Sequence, residues 1–377
     1  MAAFRDEVVF RRPLRSRVTA IGRFGEVEAL WDDLLLRGTR QPAFRIVRAG
    51  TNAPGRDVTR AAGIGDHQLS DLVSPNQVVA RYRQGETVVL QGLHHTNPQL
   101  ARLANNLALA LDHPVQVNAY LSPSAARGLD LHFDYHDVFV VQLGGSKRWR
   151  VWPPLARTTD PVRAGHRIAA PRRDELGEPL LDITMGAGDC LYLPRGYPHA
   201  AETVDHHSDH LTIGLVAVTW QWVLRRAIDA EVAAGRLTGA LPVGLLEPGG
   251  AASNLALGIG GWGELVQPAS LRQWMAREIW RRQPVTRLRP RTPPAPGSRR
   301  LTVTPGPLLW LTIDAGRAVL GLGGLVLDLP LEAHDFLSGL LDTECPFVVD
   351  SLKGLDPGSR AVVVRRLLAE GVLVDVD

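Results

Sequence analysis

From Gln116 to Trp220 the chain is a succession of short apolar runs broken by Gly, Pro and Asp. Val138–Leu143 (VFVVQL) and Trp149–Trp152 (WRVW) predict two short strands, with Gly144-Gly145-Ser146 between them as a hairpin turn. Cys190–Leu193 (CLYL) follows the turn signal Gly186-Ala187-Gly188-Asp189, and Leu211–Val218 (LTIGLVAV) reads as a longer strand. Several short strands without intervening helical patterns argue against alternating βαβ units and for a β-sandwich or barrel.

The flanks differ. Val27, Leu30, Trp31 and Leu34 recur at helical spacing within Gly25–Leu36, and Leu100, Leu103, Leu107 and Leu111 do so within Pro98–Leu111. Beyond Trp220 the pattern predicts helices over Trp222–Arg236 and Ser270–Arg282, then a Pro- and Arg-rich linker over Pro284–Arg300. The last segment predicts strands at Leu308–Ile313 and Ala318–Leu329, helices at Glu332–Leu341 and Pro357–Gly371, and a final strand at Val372–Val376. That order suggests a compact winged-helix-like module. The expected organisation of the 377 residues is therefore 1–219, 220–283, a linker over 284–300, and 301–377.

Hydrophobic residues make up 45% and charged residues 21% of the chain, which excludes wholesale disorder, and the net charge is only +3. No apolar run approaches the length of a membrane span, and MAAFRDEVVFRRPLRSR lacks the apolar stretch of a secretory signal. The cysteines, Cys190 and Cys345, offer no disulfide framework. These features predict a soluble cytoplasmic protein with no membrane partner. Of 42 basic residues only Lys147 and Lys353 are lysines. Base composition accounts for the bias, and it leaves open what an ammonium does at those two places that a guanidinium would not.

The sharpest chemical feature is His132-Phe133-Asp134, with His199 downstream after Pro194-Arg195-Gly196-Tyr197-Pro198. Residues i and i+2 of extended chain share a face, so His132 and Asp134 can reach one ion together, and His199 can complete the set. Two imidazoles and a carboxylate on one face of an octahedron suit non-haem Fe(II), leaving positions for exogenous ligands. The triplet is weak evidence alone, but zinc-protease, Cys-pair, P-loop and nucleophile-elbow motifs are all missing from the sequence.

The block His132–Trp152 (HFDYHDVFVVQLGGSKRWRVW) resembles the core signature of the cupin-like JmjC oxygenases, and most of all the ribosomal oxygenase group. Gly188–His199 (GDCLYLPRGYPH) resembles that family's second signature, in the right order. The resemblance implies a mainly β catalytic core, a double-stranded β-helix of the cupin/JmjC kind, followed by a helical dimerisation region and a winged-helix-like module. It implies Fe(II) on His132, Asp134 and His199, with 2-oxoglutarate and dioxygen as cosubstrates. It also implies that Lys147 pairs with the distal carboxylate of 2-oxoglutarate and that Tyr120 and Thr212 reach the same cosubstrate. Such a carboxylate, entering an apolar barrel, needs a buried cation. The implied reaction is hydroxylation of an arginine or histidine side chain of a ribosomal protein, by a homodimer.

Two alternatives stay open: the same chemistry on a small molecule or peptide, and a non-catalytic cupin-like binding or regulatory protein. His136 reads as structural or substrate-facing, His206-His207 as a solvated loop, and His94-His95 as a turn without an evident partner. The arginine runs at Arg281-Arg282 and Arg287–Arg300 read as a solvated linker, so direct nucleic-acid binding is not expected. The polar stretch Arg157–Asp182 reads as a loop near the barrel mouth where substrate choice would differ.

Overall fold

The computed structural model describes residues 2–48, 50–124, 126, 129–155, 170–235, 275, 283, 300–303, 309–314, 316–322, 325–342 and 347–375. They fall into two compact units, one of residues 1–111 and 115–217, the other of residues 112–114 and 218–377.

The first unit contains α1 (Ala2–Glu7), β1 (Leu14–Arg17), α2 (Val27–Leu36), β2 (Phe44–Arg48), β3 (Thr51–Asn52), β4 (Thr59–Ile64) and β5 (His67–Val73). It continues through α3 (Pro75–Arg83), β6 (Thr87–Leu90), α4 (Leu93–Thr96), α5 (Pro98–Leu111), β7 (Val115–Pro123) and β8 (Asp137–Val151). It ends with β9 (Leu181–Gly186), β10 (Asp189–Leu193) and β11 (His199–Leu215). The main sheet runs β1-β10-β8-β11-β7-β6-β2-β3, with β9 also on β8, and β4 pairs β5 apart from it. All these pairings are antiparallel, as expected of a β-rich core without βαβ crossovers.

Alternation along β7 builds the two faces. Val117, Ala119 and Leu121 are fully buried on one face, while Asn118, Tyr120 and Ser122 occupy the other. Helix α5 packs against this strand. Its buried residues are Leu100, Ala101, Ala104, Asn105 and Ala108 rather than the leucine stripe alone, because small alanines let the helix approach closely while Leu103 and Leu107 sit half-buried beside them. The helix predicted over Gly25–Leu36 starts at Val27, since Gly25 has a positive φ of 90°.

The predicted hairpin at Gly144-Gly145-Ser146 is a correction. Val138–Leu143 and Trp149–Trp152 do not fold back on each other. One strand, β8, runs 15 residues through the glycines, with β11 beside both halves. Gly145 takes its left-handed φ of 61° to make a bulge rather than a turn. The neighbours break at the same level: β11 shifts register between Thr203 and Ser208 and again between Asp209 and His210, where Leu143 of β8 is left unmatched, and the chain between β9 and β10 passes this stretch around residues 187–188. The consequence is a change of phase. Val138 and Val140 before the bulge, and Lys147 and Trp149 after it, all face one cavity. His206-His207, expected in a loop, belongs to β11 within this irregular stretch, and His207 stays exposed because the register shift turns it outward. That strand is also longer than the predicted Leu211–Val218 and stops at Leu215.

In the second unit, α6 (Trp220–Ala233) is capped by Thr219, whose hydroxyl accepts from Trp222 N at 3.2 Å. There follow β12 (Arg300–Val303), β13 (Leu309–Asp314), β14 (Arg317–Leu322), β15 (Leu325–Pro330), α7 (His334–Asp342), β16 (Phe347–Val348), α8 (Pro357–Ala369) and β17 (Leu373–Asp375). The strand predicted over Ala318–Leu329 is two, because Leu322 pairs with Leu325 and leaves only residues 323 and 324 between them. Phe336, Leu337, Leu340 and Leu367 lie in one buried cluster. The predicted helix at Ser270–Arg282 lies outside the described residues except for Met275, and the Pro284–Arg300 linker does so except for Arg300. Most of the Arg157–Asp182 stretch before residue 170 lies outside them too. No described helix is long and apolar enough to cross a membrane.

The bulge gives a direct test. A Cβ at Gly145 would overlap the His207 carbonyl and force a left-handed φ on an L side chain. Gly145→Ala is expected to destabilise the first unit by about 2 kcal/mol or more, seen as a lower thermal midpoint. An unchanged midpoint would contradict the bulge.

Candidate active site

The segment 131–134 is held against the start of β11 by a reciprocal backbone bridge: His132 N donates to His199 O at 3.2 Å, and His199 N donates to His132 O at 2.8 Å. Gly196 N donates to Asp134 O at 2.9 Å, which fixes the third residue from the turn preceding β11. Gly196 has a φ of 82°, so this tight approach uses its conformational freedom.

This scaffold gathers one ligand atom each from His132, Asp134 and His199 within 4.8 Å of one another. The imidazole centroids are 4.3 Å apart, and His199 Nε2 lies 3.7 Å from Asp134 Oδ2. Each ring has its Nδ1 against a backbone carbonyl, His132 on Asp130 O at 2.7 Å and His199 on Tyr197 O at 3.0 Å. Donation from Nδ1–H to those carbonyls leaves each Nε2 lone pair available, the arrangement that orients histidine ligands on a metal. Burial and then the neighbouring His132 lower the His199 pKa to about 4, so the ring is neutral at physiological pH and the contact with Asp134 is no ordinary ion pair.

The same cavity extends to Lys147, which is only 3% exposed. Its Nζ donates to Ser122 Oγ at 3.1 Å, and that hydroxyl also accepts from Thr87 Oγ1 at 3.1 Å. A buried ammonium resting on a neutral hydroxyl is short of negative charge. Burial accordingly pulls its pKa down to about 8, with Asp209 acting in the opposite sense. Tyr120 and Thr212 line the cavity, and the Tyr120 hydroxyl interacts with both Thr212 and Arg45. Burial pushes the Tyr120 phenol up, so it is a neutral hydrogen-bonding group.

The structure thus brings all six residues singled out in the sequence to one cavity. Sequence reasoning missed Ser122 and underrated His210, which stacks on Tyr120 at 4.9 Å with an interplanar angle of 3°. Both stand two residues from a residue already chosen, on the same strand face, so strand alternation would have found them. His136, read from the sequence as structural or substrate-facing, lines the cavity, because residues 131–136 are not one extended strand, and it contacts Gln116 Nε2 at 3.2 Å. His94, without an evident partner in the sequence, is buried and accepts from Val117 N at 3.2 Å. Burial lowers its pKa to about 4, so it is a neutral structural acceptor.

Comparison with known proteins agrees with this layout. A family model described as the JmjC domain matches residues 90–223. The bifunctional lysine-specific demethylase and histidyl-hydroxylase NO66 of Dictyostelium discoideum is 36% identical over 162 residues, covering 41% of this chain and 31% of that protein. Ribosomal oxygenase 1 of Danio rerio is 44% identical over 99 residues, covering 26% and 18%. The chain thus spans a third or less of the length of these relatives. The crystal structure of Escherichia coli ribosomal oxygenase YcfD matches with a TM-score of 0.58 over 100% of this chain and 98% of that one, at 16% identity. A YcfD structure in complex with cobalt and 2-oxoglutarate matches with a TM-score of 0.56 at 16% identity, again over 100% and 98%. A cupin-like β-rich core carrying two matched signature blocks, and a family model spanning both, give one conclusion: the chain carries a JmjC domain over residues 90–223.

Proposed function

We propose that this protein is an Fe(II)- and 2-oxoglutarate-dependent oxygenase that hydroxylates a side chain of a ribosomal protein, arginine or histidine. The observation that carries the reading is the convergence of His132, Asp134 and His199 in a cavity that also contains a buried, charge-deficient lysine. The donor set fits the ion: two imidazole nitrogens and one carboxylate oxygen on one side leave the other side open. Bound there, Fe(II) with 2-oxoglutarate and dioxygen supplies oxidative decarboxylation to succinate and carbon dioxide and oxygen insertion into a C–H bond.

The chain's own groups do the rest. His132 and His199 hold the ion through Nε2, with their Nδ1–H groups tied to carbonyls so that the rings do not rotate. Lys147 neutralises the distal carboxylate of the cosubstrate, and Tyr120 and Thr212 hydrogen-bond near it. Trp149, 5% exposed and edge-on to His210, helps to close the interior to bulk water. The polar stretch before residue 182 is the place where substrate choice would be made.

Further parts of the reading rest on resemblance. The segment 301–377 is read as a winged-helix-like module, supported by α7, α8 and the small sheets around them. The region 220–283 is read as the helical part of a homodimer, and the location as cytoplasmic with no direct nucleic-acid or membrane partner. YcfD and the Danio rerio relative are called ribosomal oxygenases, which favours a ribosomal protein as acceptor here.

Incubation of the protein with Fe(II), 2-oxoglutarate and ribosomal proteins is expected to add one oxygen atom to one of them, read by mass spectrometry. Turnover of 2-oxoglutarate without any such gain would move the acceptor to a small molecule. His132→Ala or Asp134→Ala should abolish turnover, and chelation of the metal should do the same reversibly. Turnover persisting in both variants would overturn the metal assignment.

Lys147 yields a pH prediction. The ammonium form, present below a pKa of about 8, is the form that pairs with a carboxylate. Apparent affinity for 2-oxoglutarate should therefore fall as pH rises above about 8. Lys147→Ala, which leaves a carboxylate unpaired in the interior, should weaken 2-oxoglutarate binding by about 3 kcal/mol, more than a hundredfold, in a direct titration.

A further inference from the structure

Asp209 belongs to the sheet that forms the cavity but does not line it. On β11, Ser208 and His210 oppose Ser122 and Tyr120 of β7, whereas Asp209 opposes Leu121, the core-facing side of that strand. Its side chain leaves the barrel on the side of α2 and α3 and lines a separate pocket with Glu26, Glu28, Trp31, Tyr82 and His207. Asp209 is 3% exposed, and its Oδ1 makes no hydrogen bond. Its Oδ2 lies 3.4 Å from His207 Nε2.

The surroundings of that oxygen are unusual for a buried carboxylate. Trp31 and Tyr82 form one wall, edge-to-face with centroids 5.0 Å apart and an interplanar angle of 86°. Gly144 opens the floor: a Cβ there would touch both Asp209 Oδ2 and His207 Nε2 at 3.4 Å, so the missing side chain keeps the way to the carboxylate clear. Glu26 and Glu28 stand exposed at the rim, and no Lys or Arg side chain lines the pocket among the described residues. Burial pushes the Asp209 carboxyl up to about 6, while His207 and then Lys147 pull it down and Glu28 adds a smaller push upward.

We propose that this pocket is a second binding site, for an organic cation with the dimensions of an arginine side chain. A guanidinium would pair with Asp209 through Oδ2, the oxygen beside Gly144, and lie against the Trp31–Tyr82 wall, where an aromatic face attracts a weakly hydrated planar cation. A metal ion suits the pocket less well. Among the described residues the His132, Asp134 and His199 group is the one set of three donors close enough to share an ion, and Asp209 with His207 supplies only two. The site is on the far face of β11 from the JmjC cavity, and its occupancy does not depend on the reaction proposed there.

The test is a calorimetric titration of the full-length protein with N-acetylarginine amide, using N-acetylcitrulline amide as the uncharged isostere. Saturable binding of the arginine compound alone is expected. Asp209→Asn and Trp31→Leu should each weaken it about tenfold or more, Glu28→Gln should weaken it less, and Asp134→Asn, in the JmjC cavity, should leave it unchanged. Glu28 is exposed, so its substitution reads the pocket even where Asp209→Asn folds poorly. Equal binding of the two compounds, no saturation at tens of millimolar, or binding lost in Asp134→Asn and kept in Asp209→Asn would each overturn the proposal.

Discussion

The site depends on one break in a sheet. A regular strand turns successive side chains to opposite faces, so a 15-residue strand without interruption could not present both Val140 and Lys147 to one cavity. Leu143, left unmatched where β11 steps from Asp209 to His210, is the odd residue that makes this possible, and the strands on either side of β8 break register at the same level. Removing that phase change would leave the metal-ligand cluster standing while turning Lys147 outward. The two halves of the site are thus joined through backbone geometry and through Trp149, whose ring centroid lies 5.9 Å from that of His199 and 5.7 Å from that of His210.

The reason a lysine survives in a chain of arginines also lies in this arrangement. Lys147 fits a fully enclosed position where its compact ammonium rests on one hydroxyl, Ser122 Oγ. A guanidinium carries five donors in a fixed plane and would ask more of such a space. Lys147 also sits among groups that do not compensate its charge: His210 is buried and held neutral by burial and by Lys147 itself, and Tyr120 remains a phenol. Asp209 is the carboxylate that offsets it, from the opposite face of β11.

Much of this was legible in the residues, and what was not has physical causes. The β character of 116–220, helix α5 with its limits at Pro98 and Leu111, and the clustering of His132, Asp134 and His199 followed from periodicity, spacing and resemblance. The glycines misled because a positive φ serves a bulge and a hairpin equally, and only the presence of β11 along both halves of β8 decides between them. The chain reversal between Leu322 and Leu325 was legible as well, since Gly323-Gly324 is a two-residue hairpin signal inside an otherwise continuous apolar run. Ser122 escaped notice because a serine on a strand is unremarkable until a buried ammonium is known to point at it.

The reciprocal amide bridge between His132 and His199 ties two stretches of chain together through main-chain atoms alone. With each ring also fastened to its own carbonyl, the constellation is assembled by folding and needs no ion to draw it together. A divalent cation taken up there would meet ligand atoms already fixed by main-chain hydrogen bonds, so its exchange for another would be a local event that leaves the surrounding sheet in place.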